Sequence, residues 1–134
     1  MAKKRTERQK AISYADEWFS KWTRRRFAND KGFVACYTCG RKHRWTEGRK
    51  INCGHFMSRG KMSTRWHENN ARPQCVGCNK YKSGRQYEFG LKLDAEDEGL
   101  AERMRILSEK TCRRSTAEIR EIGAEYRRRL EQLL

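Results

Sequence analysis

The chain has 134 residues, with 32 Lys plus Arg against 17 Asp plus Glu, and its net charge of +15 favours a polyanionic partner, nucleic acid being the commonest. That length predicts a single domain over 1–134 with a modest core, which a structural metal would supplement. No apolar run approaches the roughly 18 residues of a spanning helix and no signal-peptide core stands out, so the expectation is a cytoplasmic protein with no membrane partner.

Residues 1–10 read as a basic arm without apolar periodicity, either a frayed terminus or a tail that touches nucleic acid. Over 11–30, Ile12, Ala15, Phe19, Trp22 and Phe27 fall near helical spacing and predict an amphipathic helix ended by Asn29-Asp30-Lys31-Gly32. Its aromatic residues Trp18, Phe19 and Trp22 are expected to pack against the middle of the chain and not to serve as nucleobase platforms.

Residues 33–83 carry the chemistry. They are bracketed by Cys36-Tyr-Thr-Cys39 and Cys75-Val-Gly-Cys78. In a C-x-x-C pair two thiolates on one tight turn can both reach a Zn²⁺ about 2.3 Å away, and two such pairs close a tetrahedral structural site. Of the six cysteines, Cys36, Cys39, Cys75 and Cys78 are therefore assigned to one structural zinc. Cys53 is assigned to the core, and Cys112 to a structural or free thiol.

Between the two pairs, Arg41 to Arg49 reads as a polar connection in which His43 is an exposed loop histidine. From Lys50 to Met57, Ile51, Cys53, His55 and Met57 alternate with Asn52, Gly54 and Phe56, a strand pattern that would hold His55 on a fixed backbone. Ser58 to Glu68 reads as a loop whose Arg59, Lys61 and Arg65 are candidate phosphate contacts, the alternative being a solvated connection. Pro73 would stop any helix before the second cysteine pair. Asn79 to Ser83 are expected to open a helix whose N-terminus suits a phosphate, with Lys82 close to it.

Residues 84–134 form a helical tail, with helices expected over Gln86–Leu93 and Leu100–Leu107 and a last one starting at the capping box Ser115-Thr-Ala-Glu118. The stripe Ile119, Ile122, Tyr126, Leu130 and Leu133 can pack on the rest of the chain or on a second copy, so a homodimer is one expectation.

His55, Asn70 and Asn79 stand in the order of an HNH nuclease site. Asn70-Ala-Arg-Pro-Gln-Cys75-x-x-Cys78-Asn79-x-x-Lys82 resembles the closing half of zinc-stapled HNH nucleases. The runs Cys53-Gly-His-Phe56, Ser58-Arg-Gly-Lys-Met-Ser-Thr-Arg-Trp66 and Gln74-Cys-Val-Gly-Cys-Asn79 resemble the phage NinG or Rap recombination endonucleases. The resemblance implies an α+β fold, a ββα-metal finger flanked by an N-terminal helix and C-terminal helices. It also implies a phage protein that acts in the host cell on branched DNA such as Holliday junctions or D-loops. The chain departs from that family at Asn52, where an aspartate is usual, and from usual HNH sites at Gly54, where an acid or histidine precedes the base.

Phosphodiester hydrolysis needs a base for water, a cation to offset charge on the phosphate and the leaving 3′-oxygen, and a group that positions the phosphate. An imidazole suits the first task at neutral pH, and His55 is the candidate base, the alternative being a histidine satisfied by a backbone carbonyl or bound to zinc. Asn79, with Asn52 beside it, is the candidate oxygen ligand for Mg²⁺ or Mn²⁺, and Asn70 the candidate brace of the loop around His55. Three readings stay open: a metal-dependent structure-selective DNA endonuclease, a non-catalytic zinc-stabilised nucleic-acid-binding protein, and an HNH nicking enzyme acting on duplex DNA.

Overall fold

The computed structural model describes residues 3–134, so Met1 and Ala2, the start of the expected basic arm, lie outside the described residues. The first helix, α1, runs Glu7–Arg26 and starts earlier than apolar spacing suggests. Thr6 explains why: its hydroxyl accepts from the Gln9 N–H while the Gln9 side chain accepts from the Thr6 N–H. A capping box satisfies orphan donors whatever the polarity of the following turn, so the second half of the basic arm is helical. The helix also stops short of residue 30, with Phe27 as its C-cap.

The last helix, named α4 for its place in the chain, runs Thr116–Leu133 and opens on the reciprocal Ser115 and Glu118 bonds. It lies against α1. Ala11, Ala15, Phe19 and Trp22, each about one helical turn from the next, face Ile119, Tyr126 and Leu130 in one buried cluster. Gly123 permits the close approach, because a Cβ there would stand 3.1 Å from the Ala15 Cα and 2.5 Å from the Tyr14 ring. Burial of each large side chain in that seam contributes about 1.5–3 kcal/mol. The stripe thus packs on the chain's own first helix, with Ile119, Tyr126 and Leu130 buried, Ile122 partly buried and Leu133 38% exposed.

Between these helices in chain order come two small antiparallel sheets. In the first, β1 (Phe33–Ala35) pairs with β2 (Lys42–Arg44) across the turn that carries Cys36 and Cys39, and Gly40 supplies the positive φ at its exit. Lys42-His43-Arg44 contains no apolar residue, so the strand is held by backbone pairing and by Arg44 lying over the ring of its cross-strand partner Phe33 at 4.7 Å, and His43 is half-buried in it instead of lying in an exposed loop. In the second sheet, β3 (Ile51–His55) pairs with β4 (Ala71–Cys75), Ile51 opposite Cys75 and His55 opposite Ala71. Pro73 lies inside β4 on the outer edge of a two-stranded sheet, where no ladder donor is needed from its nitrogen and its carbonyl accepts from the Tyr37 N–H at 2.8 Å.

The chain then makes a π-helical turn over Gly77–Tyr81, passes through Ser83, Gly84 and Arg85, all at positive φ, and only then enters α2 (Gln86–Glu96). The expected helix start at Asn79–Ser83 is displaced because the Cys78 carbonyl accepts from the Gly84 N–H and the Gly84 carbonyl accepts from the buried Gln74 amide. Helix α3 (Leu100–Ser108) folds back on α2 through Phe89, Leu93, Leu100 and Met104. Gly54 is explained by the same Gln74: a Cβ at 54 would meet its Oε1 at 2.1 Å. The architecture is a small mixed α+β assembly of two short sheets flanked in the chain by helices.

Candidate functional site

The Sγ atoms of Cys36, Cys39, Cys75 and Cys78 lie within 4.8 Å of one another, brought together by the β1–β2 turn, the end of β4 and the π-helical turn. A regular tetrahedron with ~2.3 Å metal–sulfur arms has edges of about 3.8 Å. The Cys39 and Cys75 sulfurs are 3.7 Å apart. Burial pushes the Cys75 thiol up to about 12. Burial also raises Cys36, but hydrogen bonds from the Cys75 backbone, the Thr38 hydroxyl and neighbouring N–H groups bring it down to about 6. Four sulfurs this close cannot all be thiolates without a cation among them, so the donor set fits a tetrahedral zinc. Cys53 stays apart, packed against the edge of the α1–α4 core, and burial pushes it up to about 12.

Between α1 and the β3–β4 hairpin opens a cleft of about 490 Å³. Asn52 and His55, both on β3, and Asn79, well beyond them in the chain, all line it. The His55 ring sits 6.0 Å from the Phe19 ring, and its Nε2 lies 2.9 Å from the Arg65 carbonyl oxygen. A carbonyl can only accept, so Nε2 carries the proton and Nδ1 carries the lone pair. Nδ1 has no hydrogen-bond partner among the described residues. Burial pushes the imidazole down to about 4, which keeps it neutral at pH 7 with the Nδ1 lone pair unprotonated.

Asn70 is fully buried beneath this histidine, at the end of a short 3₁₀ turn (Glu68–Asn70). Its Oδ1 accepts from the Met57 N–H at 2.8 Å, and its Nδ2 donates to the carbonyls of Met57 and Thr64 at 3.0 and 3.1 Å. The amide therefore ties both ends of the segment after His55 to the start of β4. Asn52 and Asn79 form a second amide chain: Asn52 Nδ2 donates to the Gly48 carbonyl at 2.9 Å, and Asn79 Nδ2 donates to Asn52 Oδ1 at 3.1 Å. Asn79 Oδ1 is left without an intrachain donor among the described residues, whereas Asn52 Oδ1 is already engaged. Gly54 faces Gln74 and offers nothing to the cleft.

The four candidate phosphate contacts are not equivalent. Arg59 lines the cleft with its side chain 63% exposed, and Lys61 is exposed on the same loop. Arg65 is committed elsewhere, its Nε and Nη2 lying 3.0 and 2.6 Å from the two oxygens of Asp16. Lys82 is exposed but caps the π-helical turn, so it does not stand at a helix N-terminus, and Lys80 borders the cleft instead.

Two residues that lie outside the motifs matter here. Lys80 is the smaller surprise, being two residues from a cysteine ligand in a basic run. Asp16 is the larger: it projects from α1 into the cleft wall, holds Arg65 and accepts from Trp66 Nε1 at 2.9 Å. Its only sequence signal is an acid beside the buried stripe of α1. Asp16 is the carboxylate among the cleft-lining residues, whereas Glu68 pairs with Arg129 and does not line the cleft.

No helix among the described residues is long and apolar enough to cross a membrane. No curated protein and no solved structure is similar enough to match the chain. The family model of the bacteriophage lambda NinG protein matches residues 2–134, a span that takes in the cysteine cluster, the cleft and all four helices. This phage chain, with its four clustered cysteines, belongs to the bacteriophage lambda NinG protein family.

Proposed function

We propose that the chain is a metal-dependent, structure-selective DNA endonuclease in which β3, β4 and the following helical turn act as an HNH-type finger stapled by zinc. The observation that carries this reading is the state of His55: neutral, hydrogen-bonded through Nε2 and open at Nδ1, in a cleft it shares with the free Asn79 oxygen. A binding module has no need of such a base. The net charge of +15 suits a DNA partner, and Arg59 and Lys80 border the cleft in position to receive phosphates.

In this mechanism His55 Nδ1 takes a proton from water as the water oxygen bonds to phosphorus, and the 3′-oxygen leaves with the electrons of its broken bond. The Arg65 carbonyl keeps the ring in the Nε2-protonated tautomer and shares the positive charge that develops on it. Asn70 keeps the segment behind His55 from moving. Asn79 Oδ1 would hold the divalent ion, Mg²⁺ or Mn²⁺, with Asn52 aligning that amide more than binding metal itself. The ion, when bound, offsets charge on the phosphate and the leaving oxygen. Because these donors are neutral and both Asp16 oxygens are engaged, the free protein is expected to hold the ion weakly and to need the DNA phosphate as a further ligand.

Labelled linear, forked and four-way DNA incubated with Mg²⁺ or Mn²⁺ tests the function. Cleavage of branched DNA in preference to linear duplex is expected. Tight binding without product in either ion would make the chain a zinc-stabilised binding protein, and cleavage of plain duplex alone would make it a nicking enzyme.

The Asp16 clamp leads to a second expectation. Asp16→Asn removes the charge that fixes Arg65, whose carbonyl fixes His55. A displacement of the base by about 1 Å costs on the order of 10²-fold. The turnover rate should fall by roughly 10–100-fold while DNA affinity holds or rises, since a negative charge leaves the cleft. Equal losses in rate and affinity would show that Asp16 only holds the fold.

A further inference from the structure

We propose that Arg24 is a phosphate-binding residue of the cleft, a buried guanidinium held ready for a nonbridging oxygen of the DNA backbone. This rests on the reading that the cleft takes DNA but not on cleavage occurring there. Arg24 belongs to the last turn of α1 and is only 6% exposed. Its Nε donates to the Ser20 carbonyl at 3.3 Å, yet its Nη1 is buried with no partner. No carboxylate pairs with it among the described residues, in contrast to Arg65 with Asp16, Arg72 with Glu96 and Arg129 with Glu68.

A buried cation without a counter-charge is costly, and proteins avoid it unless an anion arrives from outside. Burial pushes the Arg24 guanidinium below its ordinary value, the expected mark of a charge removed from water and left uncompensated. Its surroundings say where the anion would come from. Ser20, Gly48 and Cys53 all border the cleft, and the guanidinium lies against Gly48 so closely that a Cβ there would stand 2.7 Å from Nη1. Gly48 is also the residue whose carbonyl anchors Asn52 and, through it, Asn79. A phosphodiester seated by Asn79 therefore brings its charge to the wall of the cleft formed by Ser20, Gly48 and Cys53, directly behind which the unpaired Arg24 guanidinium lies. A small shift of the Gly48 loop would let the planar fork reach phosphate oxygens.

The test compares Arg24→Met with the unchanged zinc-loaded chain, reading thermal stability and four-way DNA binding over a range of salt without added divalent ion. Removing an uncompensated buried charge while keeping the volume should leave the melting temperature unchanged or raise it. DNA affinity should fall about tenfold or more, and the log–log salt slope should shrink by about one unit. Inorganic phosphate should raise the melting temperature of the unchanged chain and not that of the variant. A lower melting temperature with wild-type affinity and slope would overturn the proposal, because Arg24 would then only pack α1 on the Gly48 loop. Should Arg24→Met not fold, Arg24→Lys keeps the charge and loses the fork: reduced affinity in that variant supports the proposal, and unchanged affinity defeats it. Neither readout needs product, so loss of the nuclease reading leaves the result interpretable.

Discussion

Replacing His55 by alanine is expected to stop cleavage of branched DNA, a fall of about 10²–10⁴-fold or to background, while zinc content, fold and DNA binding persist. The ring offers its unprotonated nitrogen to water in the cleft, and its Nε2 bond to the Arg65 carbonyl is a local contact whose loss the rest of the hairpin tolerates. Asn79→Ala should give a nearly equal loss, since it removes the free amide oxygen. The pH dependence adds an independent reading. Burial lowers the His55 pKa in the folded chain to about 4 from an ordinary 6.5. Between those values the unfolded chain binds the proton first, so His55 contributes stability above pH 6.5 that is lost as pH falls towards 4. The acid limb of the rate that belongs to His55 should accordingly lie well below 6.5, and His55→Ala should lessen the acid sensitivity of the fold. A variant that still cleaves branched DNA at the wild-type rate would remove His55 from the mechanism.

Replacing Cys75 by serine should have the largest effect on stability. Cys75 closes β4 opposite Ile51, its sulfur is 3.7 Å from that of Cys39, and it accepts from the Cys78 N–H at 3.5 Å. Structural zinc sites contribute on the order of 10–16 kcal/mol in small peptides, and loss of one thiolate gives up a sizeable part of that. A melting temperature lower by at least about 10 °C, with zinc lost from the chain, is expected. Activity should fall with it, because Asn79 follows Cys78 directly and the π-helical turn that places it is closed by the cluster. Cys53→Ser is the control and should keep its zinc. Full zinc occupancy with unchanged melting in Cys75→Ser would show that the four sulfurs do not share one ion.

Local rules made some features legible. The Ser115 box announced α4 because capping depends on residues three apart, and the cysteine pairs announced a four-sulfur cluster that fits one zinc because each pair spans one tight turn. The alternation around His55 announced β3 for the same reason. Where order along the chain did not carry the information, the reading missed. The helical start hidden in the basic arm depended on one Thr–Gln exchange, and β2 has no apolar residue to reveal it. The helix expected at Asn79 gave way to a π-helical turn because Gln74, from another strand, holds Gly84.

By itself, then, the sequence determined the cysteine quartet, the order of His55, Asn70 and Asn79, the helical tail and the excess of positive charge. Each follows from residue type, or from spacing short enough for local geometry to hold. Tertiary structure decided which of the basic residues are free, that Asp16 holds Arg65 and so the partner of His55, that Arg24 is buried without a counter-charge, and that the α4 stripe packs on α1. These are matters of which charges meet and which surfaces leave water. Coulomb attraction and apolar burial act through space, between residues whose separation along the chain bears no relation to their distance in the fold.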